Sequence, residues 1–88
     1  MTQAEAYNLI ALASVYMHSA DPIELYFWLG YKDGVRRALH GPSFNADQHR
    51  LMMLVGEEEF DDGRRARAKG YRAGLAGLDP RELDCSHV

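Results

Sequence analysis

A single cysteine, Cys85, leaves the 88-residue chain without an internal disulfide and fits a reducing compartment such as the cytoplasm. No apolar run approaches the roughly 18 residues a membrane-crossing helix needs, so no membrane partner is expected. Strand signals are also missing. No stretch sustains apolar-polar alternation, and Asp33-Gly34 and Asp62-Gly63 sit inside helical patterns rather than between β-branched runs. His18, His40, His49 and His87 are scattered, with no HExxH motif and no second cysteine, so no metal site is expected. No strand leads into a glycine-rich phosphate loop. Cys85-Ser86-His87 sets a thiol beside an imidazole, but in a tail unable to hold them in fixed geometry. These absences predict a protein with no cofactor and no enzymatic chemistry. The opening MTQAEAYNLIALA lacks the basic region of a secretory signal, and Glu5 stands where positive charge would be. The mature chain is therefore expected to begin at Met1 or Thr2.

What is present suits one helical domain over 1–88, with 79–88 a tail expected to fray. A chain this short buries only about 60% of its unfolded surface, so one core must serve all of it. Thr2-Gln3-Ala4-Glu5 matches a capping box, after which Ala6, Leu9, Ile10, Ala13, Tyr16, Met17 and Ala20 recur at spacings of three and four. Asp21-Pro22-Ile23-Glu24 marks a second start, with Asp21 as cap and Pro22 where no donor is needed. That helix runs to about His40, where Gly41-Pro42 stops it. Asn45-Ala46-Asp47-Gln48 offers a third start, leading into Leu51, Met52, Leu54 and Val55. Gly56 either ends or bends it. A fourth helix is read over 57–76, acids first and bases last as the macrodipole favours, with an Asp61–Arg65 pair and Gly77 as C-cap. Asp79-Pro80-Arg81-Glu82 then starts a short turn. The expected fold is all-α, a small bundle of four helices plus a C-terminal turn.

Five glycines, Gly30, Gly34, Gly63, Gly70 and Gly74, fall inside these helices. At roughly 0.5–1 kcal/mol each relative to alanine, together they cost about 3–5 kcal/mol, which requires a compensating contact. Phe27, Gly30, Tyr31, Gly34 and Ala38 form one stripe; Gly63, Gly70 and Gly74 form a groove beside Phe60, Tyr71 and Leu75. Small residues four apart let two helix backbones approach closely. Helices two and four are predicted to cross through these grooves, each tyrosine over the other's glycines. The plain alternative is that one glycine pair faces solvent or marks a break in its helix; a symmetric version mates the same grooves across a homodimer.

Gly70-Tyr71-Arg72-Ala73-Gly74-Leu75-Ala76-Gly77 resembles the first-helix motif of bacterial ribosome modulation factor, a small helical protein that binds ribosomes in stationary phase. Trp28-Leu29-Gly30-Tyr31 is similar to the Trp-Leu-Gly-aromatic piece of that family's second helix. The order here is reversed, and Cys85 falls only loosely where the family has its cysteine. The resemblance implies Gly-aromatic helices building a very small bundle, with ribosome binding as the associated function. The family is strongly basic, whereas this chain carries a net charge of −3.

That net charge conceals segregation. Residues 57–62 hold five carboxylates (Glu57, Glu58, Glu59, Asp61, Asp62) around Phe60, and residues 64–72 hold five cations (Arg64, Arg65, Arg67, Lys69, Arg72) beside Tyr71. The cations, extended by Arg36, Arg37 and Arg50, are the candidate nucleic-acid surface, with Tyr71 to stack on bases. A solvated face paired with its own acids is the plain alternative. The acids with Phe60 are the candidate protein-partner surface, able to imitate phosphates; helix N-terminal acids are the plain alternative there. Residues 25–29, Leu-Tyr-Phe-Trp-Leu, are apolar all round, so some of Tyr26 and Trp28, both assigned to the partner surface, is expected to be partly exposed or covered by a partner; packing against helix one is the plain alternative. The leading expectation is docking onto an RNA or ribonucleoprotein assembly such as the ribosome. The second is a phage or mobile-element inhibitor, anti-CRISPR-like in kind, that blocks a host nucleic-acid-binding complex through its acidic and aromatic surface.

Overall fold

The computed structural model describes residues 1–83, so Cys85-Ser86-His87 lies outside the described residues. Helix α1 spans Gln3–Met17 and begins at the expected capping box: Thr2 Oγ1 accepts the Glu5 N–H at 3.1 Å and Glu5 Oε1 accepts the Thr2 N–H at 3.4 Å. Helix α2, Pro22–His40, starts where Asp21 Oδ1 accepts the Glu24 N–H at 2.8 Å and ends at Gly41, whose φ of +92° an L side chain rarely adopts. Helix α3 is Ala46–Leu54, so Gly56 follows its end rather than bending it. Asn45 precedes it in the left-handed region, at φ 47° and ψ 50°, and its amide reaches Gln48 instead of capping the helix.

Helix α4 is Asp62–Leu75, five residues shorter at its start than the acids-first reading predicts. Asp61 is the true cap: its Oδ1 accepts the Arg64 N–H at 2.8 Å and its carbonyl accepts the Arg65 N–H at 2.9 Å. Asp61 therefore does not pair with Arg65, which reaches Asp62 and, at 2.6 Å, the Glu59 carbonyl. Residues 57–61 instead form a turn and link after Gly56, closed by the Glu59 N–H on the Gly56 carbonyl at 3.2 Å. At the other end Leu78 N–H bonds the Ala73 carbonyl and Gly77 N–H the Gly74 carbonyl, at 3.1 and 3.0 Å, with Gly77 at φ +72°. This is a Schellman ending, which satisfies the last carbonyls.

The predicted crossing is present, and it is made backbone to backbone. A methyl built on Gly70 would stand 2.7 Å from the Phe27 carbonyl carbon, and one on Gly30 would stand 2.8 Å from that of Arg67. One turn on, methyls on Gly34 and Gly74 would reach Leu75 N at 2.8 Å and Val35 N at 3.0 Å. In each case a carbonyl oxygen lies closer still, so an α-hydrogen of each glycine points at a facing carbonyl, the geometry of a Cα–H···O contact. The glycines thus meet main chain, not the tyrosine rings the sequence suggests. The contacts advance together along both helices, so α2 and α4 run the same way where they cross. They are also reciprocal: Phe27, Gly30, Tyr31 and Gly34 match Arg67, Gly70, Tyr71 and Gly74 forty positions later, as Asp21 matches Asp61. The α2–α4 crossing is thus locally two-fold, and α1 packs on α2 and α3 on α4.

The halves differ in how well they are filled. Ala6 and Ala13 of α1 are buried, and Leu9, Ile10 and Met17 pack on Phe27, Trp28, Tyr31 and Val35. Helix α3 contributes no buried residue. Trp28, 2% exposed, is stacked on Tyr16 at 5.2 Å and edge-on to Phe27 and Tyr31 at 4.9 and 5.5 Å. It is therefore a core residue, correcting its assignment to a partner surface. A 3₁₀ turn, Pro80–Glu82, lies against α1 with Pro80 buried and Leu83 on the core. The stretch expected to fray is thus packed as far as Leu83.

The Tyr31 hydroxyl donates to the Leu78 carbonyl. Burial, with Asp79 adding negative charge, pushes the Tyr31 phenol from 10.0 up to about 12. The neutral phenol belongs to the fold, so its stabilising share is complete below pH 10.0 and is lost as pH rises through about 12. The urea midpoint should accordingly fall over that interval, and Tyr31→Phe should fall less steeply.

Candidate docking surfaces

The bundle measures 34 × 29 × 17 Å. Its short dimension is less than two helix diameters of about 10–12 Å, so α1 and α3 each keep a face in water. No helix among the described residues is long and apolar enough to cross a membrane.

The predicted basic surface is already engaged. Asp33 accepts from Arg36 at 3.0 Å, Arg67 at 3.2 Å and Gln48 at 3.1 Å, joining α2, α3 and α4. Lys69 pairs with Glu57 at 3.1 Å, Arg64 with Glu59 at 3.4 Å and Arg50 with Asp47 at 3.3 Å. Arg72 donates to the Met52 and Val55 carbonyls at 3.0 and 2.8 Å, satisfying the C-terminal end of α3, and Arg37 donates to the Phe44 carbonyl at 3.0 Å. Tyr71, assigned to base stacking, is buried; its hydroxyl and His49 Nδ1 are 2.8 Å apart, and burial raises its pKa. No base can reach its ring. Arg65, Arg67, Arg72 and Arg37 thus tie elements together, leaving Arg64, Arg36 and Arg50 as the more exposed guanidinium groups.

The acidic stretch is paired as well, but strongly exposed apolar side chains stand beside it. Phe60 is 99% exposed, and Leu54 and Leu51 on α3 are 75% and 61% exposed. These side chains border an open groove of about 490 Å³ whose lining also includes Met52, Val55, Gly56, Glu58, Glu59 and Arg64. Glu57 and Glu58 are exposed, Glu59 is half-buried against Arg64, Asp61 caps α4 and Asp62 pairs with Arg65. Glu57 is the partner of Lys69, and the Glu58 carboxylate folds back beside Gly56. Tyr26 is half-exposed, its ring over Gly63, beside a smaller groove of about 260 Å³ that includes Arg64 and Arg67.

No protein-family model, curated protein or solved structure matches this chain.

Sequence reasoning missed three contributors. Leu51 and Leu54 read as part of a third helix with no face assigned, and they face water because α3 lies shallowly on α4. Asp33 read as one more helical acid; only Arg36, three residues on, hinted at a partner, and Arg67 and Gln48 arrive from other elements.

Proposed function

We propose that this chain is a non-enzymatic docking protein that binds a basic surface of a partner protein through the exposed face of α3 and the 55–60 link. The observation that carries this reading is Phe60, fully in solvent beside Leu51 and Leu54, with Glu58 in the same groove and the exposed Glu57 preceding it in the link. Burying such side chains contributes about 1.5–3 kcal/mol each, and large aromatic side chains are enriched at the centres of interfaces. The carboxylates select a partner rich in Lys and Arg and speed its approach. A nucleic-acid-binding protein offers such a surface, and occupying it would exclude the nucleic acid. Direct RNA or ribosome docking has less support: its stacking ring, Tyr71, is inside, and Arg37 and Arg72 hold backbone carbonyls. The Gly-aromatic blocks that resemble ribosome modulation factor serve the α2–α4 crossing, which favours reading them as architecture.

Immobilised protein should capture a basic protein from bacterial lysate equally well before and after nuclease. Phe60→Ala and the double variant Glu57→Lys/Glu58→Lys should each weaken that binding about 10–100-fold while keeping the wild-type circular dichroism. Capture that disappears with nuclease, or survives both variants, rejects the reading and returns the Arg36, Arg50 and Arg64 surface to consideration.

A further inference from the structure

Helix α3 is held differently from α1, α2 and α4. On the opposite side of the crossing, α1 buries Ala6 and Ala13 and lays Leu9, Ile10 and Met17 on the core. Helix α3 buries no residue, and among the described residues none that packs on the core belongs to it. What fixes it is polar. Gln48 Nε2 donates to Asp33 of α2 at 3.1 Å, and His49 Nδ1 stands 2.8 Å from the Tyr71 hydroxyl of α4. Arg72 of α4 donates to the Met52 and Val55 carbonyls at 3.0 and 2.8 Å, and Arg37 of α2 donates to the Phe44 carbonyl at 3.0 Å, just before α3 begins.

We infer that α3 is a latch that opens as a unit, lifting from α4 while α1, α2 and α4 stay assembled. Water replaces a broken hydrogen bond almost in full, but it returns nothing for apolar surface newly exposed. The element with the fewest buried apolar contacts therefore opens first. A helix of nine residues is marginal alone in water, so α3 unwinds as it lifts. Residues 41–45 and 55–61, outside the helices on either side, supply the slack.

The two positions of the latch present different surfaces. Closed, α3 holds Leu51 and Leu54 in the groove beside Phe60, and its carbonyls occupy Arg72. Open, the apolar face is dismantled, and Arg72, Arg37 and the Tyr71 hydroxyl lose the partners that α3 and its approach supply. The docking face and the latched cations are thus alternatives, and a ligand of either one shifts the population toward its own position. The crossing of α2 and α4 persists in both, so the glycine grooves stay filled within the chain rather than across a homodimer. The opening stands whether or not the docking face meets a basic partner.

Native-state hydrogen exchange of the full chain, followed by NMR, tests the latch. Amides of residues 50–54 should be protected at least about 100-fold less than those of Tyr31, Gly34 and Val35, with a weaker dependence on urea. Gln48→Ala and Arg72→Met each remove a contact that opening breaks, and each should speed α3 exchange several-fold with the circular dichroism of the wild type. Ala13→Gly in α1 weakens a contact that opening keeps; it should speed exchange in α2 and α4 and leave α3 as it was. Protection of α3 equal to that of α2 overturns the proposal. So does α3 exchange that neither Gln48→Ala nor Arg72→Met moves, or that rises with Ala13→Gly as much as exchange in α2.

Discussion

Gly70→Ala is expected to lower stability by about 3 kcal/mol or more, although alanine is the better helix former by about 1 kcal/mol. The added methyl would stand 2.7 Å from the Phe27 carbonyl carbon and 3.0 Å from Tyr31 N, with the Phe27 oxygen closer still. All three are main-chain atoms of a helix, so no side-chain rotation makes room. The helices must separate, and separating them also loosens the contacts at Gly30, Gly34 and Gly74. For a domain of this size about 3 kcal/mol corresponds to roughly 12–24 °C in melting temperature and is a large share of a total near 5–15 kcal/mol. Gly63→Ala is the informative control. Its new methyl would meet the ring of half-exposed Tyr26 at 2.9 Å, a side chain free to swing into solvent, so its change should stay within about 1 kcal/mol. Urea unfolding followed by circular dichroism measures both. If Gly70→Ala proves as stable as Gly63→Ala, the close crossing is wrong.

Trp28→Ala should cost about 3–5 kcal/mol, the range for removing a buried aromatic and leaving a cavity. Three rings surround the indole, from α1 and from both sides along α2, so no single neighbour can collapse into the space. Trp28 is also the one tryptophan in the chain, and intrinsic fluorescence reports on it alone. Its emission should be that of a buried indole in the native protein and shift to the red on unfolding. It should also change little when a partner binds, because the residue lies in the core. A native emission already at the solvent-exposed wavelength would contradict its placement between α1 and α2.

Much of the fold was legible because the signals that carry it are local or steric. Thr2 and Asp21 accept N–H groups three residues away, so their caps read directly from four-residue strings. The glycine spacing was legible for another reason: residues that weaken a helix persist only where absence of a side chain is needed, and the four-residue step says which face. Trp28 was misread as surface because Leu25–Leu29 is apolar on every side, and periodicity alone cannot say which rings turn inward. Approach of α1 decided it, enclosing Trp28 and leaving Tyr26 half in water. The start of α4 was misread because glutamates suit a helix's first turn; Asp61, caught in its own hydrogen bond to Arg64, prevailed.

The surface was far less legible. Charge counts separate an acidic stretch from a basic one, but whether a cation is free depends on groups distant in the chain. Arg67 meets Asp33 across thirty-four positions and Arg72 meets Met52 across twenty. Sequence by itself therefore determined the helices, most of their ends and the line along which two of them touch, since capping and steric exclusion act over a turn or two. Tertiary structure alone decided which rings are inside, which guanidinium groups are already held and which apolar side chains on α1 and α3 remain uncovered. Those outcomes depend on which helix arrives to desolvate or pair a group, and a 17 Å bundle is too thin to cover every face.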